Sequence, residues 1–62
     1  MSGINPYQYM QQLAAQIDSM ETPERLNRAL DEMEYLFEII PPELQSPAEE
    51  LIARLRQKLG LN

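Results

Sequence analysis

The 62-residue sequence contains no cysteine, no histidine and no tryptophan, and it has a single lysine. The lack of cysteine excludes disulfide cross-links, and the lack of both cysteine and histidine removes the usual ligands of a structural zinc site. A chain this short gains little net stability from its core alone, so it depends on close packing or on a second chain. We therefore expect self-association as a homodimer.

Side chains suited to catalysis are also scarce. The one lysine, Lys58, lies near the C-terminal end of the sequence, and no serine has a histidine or lysine placed to activate it. The 2 glycines form neither a phosphate-binding loop nor a dinucleotide-binding pattern. We predict a protein that is not an enzyme, with no cofactor and no metal site.

Long hydrophobic runs are absent. No apolar run approaches the roughly 20 residues of a membrane-spanning helix, and the N-terminal "MSGINPYQYM" has no signal-peptide pattern. The formal net charge of −5 disfavours binding to phosphate backbones or anionic lipid surfaces. We expect a cytoplasmic protein that binds neither a membrane nor nucleic acid directly.

Prolines predict where helices begin. A residue that caps a helix through its side chain, followed by proline at the first helical position, is a typical start signal. Such pairs are Asn5-Pro6, Thr22-Pro23 and Ser46-Pro47. Ser46 also has Glu49 three residues later, which completes the pattern of a capping box.

The apolar residues recur at steps of three and four, which is the helical period. The predicted stripes are Tyr7, Met10, Leu13, Ala14, Ile17 and Met20; Leu26, Ala29, Leu30, Met33, Leu36, Phe37 and Ile40; and Ala48, Leu51, Ile52, Leu55 and Leu59. We predict an all-α fold: one domain over 1–62, with helices at about 6–20, 23–40 and 47–59 in a compact up-down bundle that dimerisation could complete.

The segment "IIPPELQSPAEE", residues 39–50, concentrates three of the 5 prolines but does not form a P-x-x-P docking motif. We interpret it as a corner between two helices. Pro41 ends the second helix, Pro42 stiffens the corner, Leu44 packs into the core and Pro47 begins the third helix. The third helix should end before Gly60 in a left-handed conformation.

Acidic residues gather on the predicted second helix. Glu34 and Glu38 are one turn apart with no basic neighbour on the face that they share with Glu24 and Asp31. This face could dock a basic partner, but we favour a solvated face that keeps the protein soluble. A di-metal carboxylate site would also require histidine in Glu-x-x-His elements.

Tyr35 and Ile39 lie beside this face, off the apolar stripe. Framed by Glu32 and Glu38, they could form the centre of a contact patch. The first helix is almost uncharged and rich in glutamine, so its burial against another chain would cost less desolvation free energy than burial of a charged helix. The alternative is that both surfaces are ordinary exposed helix faces. The candidate partner-binding residues are Tyr35, Ile39, Glu34, Glu38, Tyr9, Gln12 and Gln16.

These observations favour a protein–protein interaction module, or a small regulatory or chaperone-like protein, whose partner is another protein. One alternative is an acidic regulator that blocks or mimics nucleic-acid binding by a basic partner. A small helix-turn-helix DNA binder is a further alternative, and it is disfavoured by charge. Arg54 and Arg56 point to different flanks of the third helix, and Glu49 and Glu50 occupy its start, where base-reading residues usually lie.

Overall fold

The computed structural model describes residues 5–61 and is all-α, with no strand in that range, which confirms the predicted fold class. Its elements are α1 (Pro6–Gln16), a 3-10 turn (Ile17–Ser19), α2 (Pro23–Ile39), a second 3-10 turn (Pro42–Leu44) and α3 (Gln45–Leu59). Within this range, no helix has both the length and the apolar character needed to cross a membrane.

Two of the predicted helix starts are confirmed. The Oδ1 atom of Asn5 accepts hydrogen bonds from the backbone N–H of Tyr7, at 3.0 Å, and of Gln8, at 3.5 Å. The Oγ1 atom of Thr22 accepts one from the N–H of Arg25 at 3.4 Å. Each cap satisfies backbone donors that have no partner inside the first turn of a helix.

The cap predicted for the third helix is wrong. α3 begins at Gln45, with Leu44 in the N-cap position and no capping side chain, so Ser46 and Pro47 lie inside the first turn. The 3-10 turn that ends at Leu44 leads directly into the helix and replaces the expected cap. Pro47 fits because residues in the first turn need no intrahelical N–H donor.

The other features of this corner agree with the prediction. α2 ends at Ile39, before Pro41, within one residue of the predicted end. Leu44 packs against the core. At the far end of α3, Gly60 has a left-handed φ of 76°. The N–H groups of Gly60 and Leu61 donate to the C=O groups of Gln57 and Arg56 at 3.0 and 2.9 Å, respectively, which is a Schellman motif.

The first helix is shorter than predicted. Its α-helical part ends at Gln16, the chain tightens into the 3-10 turn, and Met20 is extended with ψ of 120°. The Oγ of Ser19 donates to the C=O of Gln16 at 2.9 Å. Side-chain bonds of this kind compete with helical backbone bonding, which accounts for the early end.

The core is apolar throughout the described residues, with no buried polar side chain. Its members are Met10, Leu13, Ile17, Met20, Leu26, Ala29, Leu30, Met33, Ile40, Ala48, Leu51 and Leu55. Tyr7 and Ala14, predicted in the stripe of the first helix, are instead exposed. α1 buries only a narrow stripe, and these two residues lie at its edge.

The helices alternate in direction, as an up-down bundle requires. Asp18, just after α1, contacts Arg54 and Lys58 late in α3, so α1 and α3 run the same way. Tyr9, early in α1, bonds to Glu32 in the second half of α2, so α2 runs opposite to both. α2 packs closely on α3, whereas grooves separate α1 from α2.

Candidate partner-binding surfaces

An open groove lies between the start of α1 and the second half of α2, with a volume of about 480 Å³. We call it the Tyr35 groove; it is lined by Pro6, Tyr9, Asp31, Glu32, Tyr35, Leu36 and Ile39. Tyr35 and Ile39 are 65% and 56% exposed, which is high for large apolar side chains. They stand one turn apart on α2, beside the partly buried Leu36.

Tyr9 forms one wall of the groove and is held in place at both ends of its side chain. Its ring packs against the core, and its hydroxyl donates a hydrogen bond to Oε1 of Glu32. Burial, and then the hydrogen bond to Glu32 and that residue's negative charge, raise the pKa of Tyr9 well above its usual value of 10. Tyr9 is therefore a neutral donor that bridges α1 and α2.

The charge at the Tyr35 groove is of one sign. Asp31 and Glu32 contribute carboxylates to its lining, and no basic side chain of residues 5–61 lines it. An apolar floor beside two carboxylates favours a ligand that is itself apolar on one side and positively charged on the other.

The line along which α1 meets α2 is called the α2 seam, and the corresponding line between α1 and α3 is the α3 seam. A second groove continues along the α2 seam towards the link between α1 and α2. We call it the Arg28 groove, and its volume is about 470 Å³. It shares Tyr9 and Glu32 with the Tyr35 groove, and Arg25 and Arg28 line it as well. The bridge between Tyr9 and Glu32 thus divides one long seam into an acidic part and a part of mixed charge.

The structure places the predicted site residues in three groups. Tyr35, Ile39 and Tyr9 line the Tyr35 groove, and Gln12 and Gln16 line the Arg28 groove. Glu34 and Glu38 are exposed but line neither of these grooves. The first two groups therefore line the boundary between α1 and α2, and the two glutamates do not.

Helix geometry explains why Glu34 and Glu38 line neither groove. Adjacent helical residues point about 100° apart, so Glu34 and Glu38 are turned away from the groove that Tyr35 and Ile39 line. We expected Glu38 to frame the contact patch, but Asp31 takes that place.

Sequence reasoning missed three residues that line the Tyr35 groove: Pro6, Asp31 and Leu36. Asp31 could have been found, because it lies one turn before Tyr35. Leu36 was assigned to the core and is only partly buried. The position of Pro6 depends on how α1 packs against α2, for which the sequence holds no local signal.

A third surface lies on the other side of α1, along α3. We call it the Tyr7 face; its residues are Tyr7, Gln11, Ala14, Pro47, Glu50 and Arg54, around a shallow groove of about 200 Å³. Tyr7 is 51% exposed. The charges of Glu50 and Arg54 are opposite, so the face carries no net formal charge. From the sequence, several residues of this face were named for other roles, among them Tyr7, Glu50 and Arg54, but the face was not identified as a partner-binding surface.

Polar contacts fix the end of α1 to α3. Nη2 of Arg54 lies 2.8 Å from Oδ1 of Asp18, and Nζ of Lys58 donates to the backbone C=O of Asp18 at 3.3 Å. Across residues 5–61 this is the one ion pair, and both side chains are solvent-accessible. Exposed pairs of this kind contribute about 0–1 kcal/mol. The contact therefore orients α1 more than it stabilises the fold.

In the described part of the chain, no group of three or more acidic side chains is placed to hold a metal ion. No protein-family model, curated protein or solved structure matches this chain.

Proposed function

We propose that this chain is a non-catalytic protein–protein interaction module that binds a basic, amphipathic helix of a partner protein in the Tyr35 groove. The observation that carries this proposal is an apolar groove whose charged lining residues, Asp31 and Glu32, are both acidic. A small protein of this kind would act as a regulator or as a chaperone of its partner.

The apolar residues would supply most of the affinity. Tyr35 and Ile39 are held by a regular helix, so covering them requires little reorganisation of the protein. Tyrosine is also among the residues that most often dominate binding energy at interfaces. Since each side chain is already partly covered, burying the remainder would contribute about 1–2 kcal/mol per residue.

The shape of the seam favours a helix as the bound segment. Two antiparallel helices with a groove between them can receive a third through apolar side chains spaced at three and four residues. Such side chains would enter the Tyr35 groove and, beyond the bridge between Tyr9 and Glu32, the Arg28 groove. Gln12 and Gln16 would offer neutral hydrogen-bonding groups there.

The charge favours a basic partner over a second copy of this chain. Two copies meeting at this groove would bring the carboxylates of Asp31 and Glu32 near those of the other copy, which costs free energy. Lysine or arginine on the partner would pair with these carboxylates. The net charge of −5 would also speed its approach.

A second candidate function is an acidic regulator that blocks or mimics nucleic-acid binding by a basic partner. It is favoured by Glu34 and Glu38, which are exposed and form no ion pair among residues 5–61. Binding of this kind would be purely electrostatic. It would disappear in high salt and would not depend on Tyr35.

The test is a titration of ¹⁵N-labelled protein with a synthetic 18-residue amphipathic helix of leucine and lysine (about five turns). Its twin carries glutamate in place of lysine. We expect the lysine peptide to shift the amide signals of Tyr35, Ile39 and Tyr9, and the glutamate twin to leave them unchanged. If neither peptide shifts these signals, the groove is not a docking site of the proposed kind.

Two variants with the same added charge separate groove binding from general attraction. Tyr35→Glu places a negative charge in the groove while removing the aromatic contact, and Gln57→Glu places one on the exposed surface of α3. We expect Tyr35→Glu to weaken binding of the lysine peptide at least tenfold and Gln57→Glu to leave it intact. Equal or tighter binding to Tyr35→Glu, lost in about 0.5 M salt, would support the acidic regulator instead.

A further inference from the structure

We propose that the Tyr7 face pairs with the same face of a second copy, in a two-fold arrangement that runs α1 antiparallel to the partner copy's α1. The proposal assigns self-association to a surface other than the Tyr35 groove. Its basis is the charge balance, the side-chain sizes and the direction of the two helices that form this face.

Charge distinguishes this face from the rest of the surface. α1 contains no charged residue from Pro6 to Gln16, and on the α3 side Glu50 is balanced by Arg54. For a chain of net charge −5, contact between identical copies is opposed by repulsion wherever acids predominate. The Tyr7 face is neutral, so two copies can meet there without that cost.

Side-chain sizes match when the face is placed against itself. With the two-fold axis beside Gln11, midway between Tyr7 and Ala14, residues at equal distances before and after the axis on α1 come opposite each other. Tyr7, one turn before the axis, then covers the partner copy's Ala14, and the reverse contact forms as well. Gln11 meets the partner copy's Gln11, and amide side chains can donate and accept in such a pair.

The charges match under the same operation. Because α3 runs in the same direction as α1, the two-fold axis reverses both helices together. Glu50, nearer the start of α3, then lies towards the partner copy's Arg54, one turn later, and this contact occurs twice. Arg54 already bonds to Asp18 through one nitrogen, and its guanidinium has further N–H donors for a second carboxylate.

The dimer would leave the Tyr35 groove free on each copy, since α1 would use opposite flanks for the two contacts. Tyr9 and Gln16 face α2, while Tyr7 and Ala14 face α3. Where the groove binds as proposed above, the dimer presents two grooves and gains avidity for a partner with two binding helices. Dimerisation itself does not depend on groove binding.

The lack of native cysteine makes a direct test simple, because one introduced cysteine is the only thiol. Gln11→Cys should oxidise to a disulfide-linked dimer, since the residue faces its own copy across the axis. The matched control is Ala53→Cys, at an exposed position of α3 that lines none of the three grooves. We expect at least tenfold faster cross-linking for Gln11→Cys, and equal rates would overturn the proposed pairing.

Light scattering on the unmodified chain provides an independent measurement. We expect the mass to rise with concentration towards twice 7.2 kDa. Ala14→Glu should weaken dimerisation at least tenfold without loss of helical circular dichroism, because Ala14 is exposed. A mass of 7.2 kDa that persists up to about 1 mM protein would overturn the dimer.

The charge pairs are tested by reversing one charge. Glu50→Arg brings like charges together across the axis and should weaken the dimer, whereas Glu49→Arg, the same change at an exposed position outside the three grooves, should not. Equal weakening by both variants would contradict the two-fold register. A monomer that still binds the lysine peptide would overturn the dimer alone, and a dimer that binds no peptide would overturn the groove proposal alone.

Discussion

The two seams along α1 differ although they share the same helix. Towards α3, α1 is fixed by the contacts of Asp18 with Arg54 and Lys58, and the groove there is only about 200 Å³. Towards α2, the single side-chain hydrogen bond among the described residues is that of Tyr9 to Glu32, and the two grooves have volumes of about 480 and 470 Å³.

The difference shows that the helix facing α1 determines the chemistry of each seam. α1 supplies aromatic and amide side chains to both seams and no charge to either. α2 adds Asp31 and Glu32 at one seam, and α3 adds Glu50 and Arg54 at the other. An uncharged helix can therefore serve an acidic groove on one flank and a neutral face on the other.

The largest effect is expected from truncating a fully buried core side chain in the turn that follows α1. Ile17 is 0% exposed, and Ile17→Ala should destabilise the fold by about 2–5 kcal/mol because it leaves a cavity. The matched variant is Ile39→Ala in the exposed part of the Tyr35 groove, which should change stability by less than about 0.5 kcal/mol. Urea unfolding followed by circular dichroism measures both, and similar losses would contradict the burial of one and the exposure of the other.

Replacing each exposed tyrosine by alanine should show whether peptide binding and dimerisation use different surfaces. Tyr35→Ala should weaken binding of the lysine peptide about tenfold, which is about 1.4 kcal/mol, and leave dimerisation unchanged. Tyr7→Ala should weaken dimerisation and leave binding of the lysine peptide unchanged. Calorimetry with the peptide and sedimentation of the free protein give the two readouts. If either variant impairs both activities equally, the two surfaces are not independent.

Removing the hydrogen bond that bridges α1 and α2 should lower the stability of the fold by a moderate amount. Tyr9→Phe deletes the hydroxyl that bonds to Glu32 and should cost about 0.5–1.5 kcal/mol at neutral pH. Thermal unfolding of the variant beside the unmodified protein measures this cost, and unchanged stability would show that the bridge contributes little.

The same variant tests the raised pKa of Tyr9. The unfolded chain ionises this phenol near pH 10, whereas the folded protein resists ionisation. The stability contributed by the neutral phenol is therefore complete below about pH 10 and is lost as the pH rises further. The unmodified protein should lose more stability than Tyr9→Phe between about pH 9 and pH 11, and parallel losses would contradict the assignment.

The smallest effect is expected from the ion pair in the α3 seam. Asp18→Asn removes the charge that Arg54 contacts but keeps the backbone C=O that Lys58 binds. Because both side chains of the pair are accessible to solvent, the loss should be between about 0 and 1 kcal/mol and should shrink in high salt. A larger loss that is insensitive to salt would show that the pair is part of the packing.

Helix content and most helix ends were predictable because their causes are local. Asn5 and Thr22 cap the residues that directly follow them, and Gly60 terminates α3 through its own backbone conformation. Ser46 was wrongly predicted as a cap because the preceding 3-10 turn, not the side chain, begins α3. That outcome depends on how residues 41–44 pack, which the sequence pattern does not contain.

The candidate site also combines features that the sequence determined with features that only the tertiary structure decided. The exposure of Tyr35 and Ile39 follows from their positions on one helix, so the sequence alone determined it, together with the fold class and the lack of charge on α1. The two seams, the pairing of Tyr9 with Glu32 and the exposure of Tyr7 were decided by the tertiary structure. They depend on how closely α1 approaches α2 and α3, because a pattern within one helix specifies which face is apolar but not the helix that will cover it.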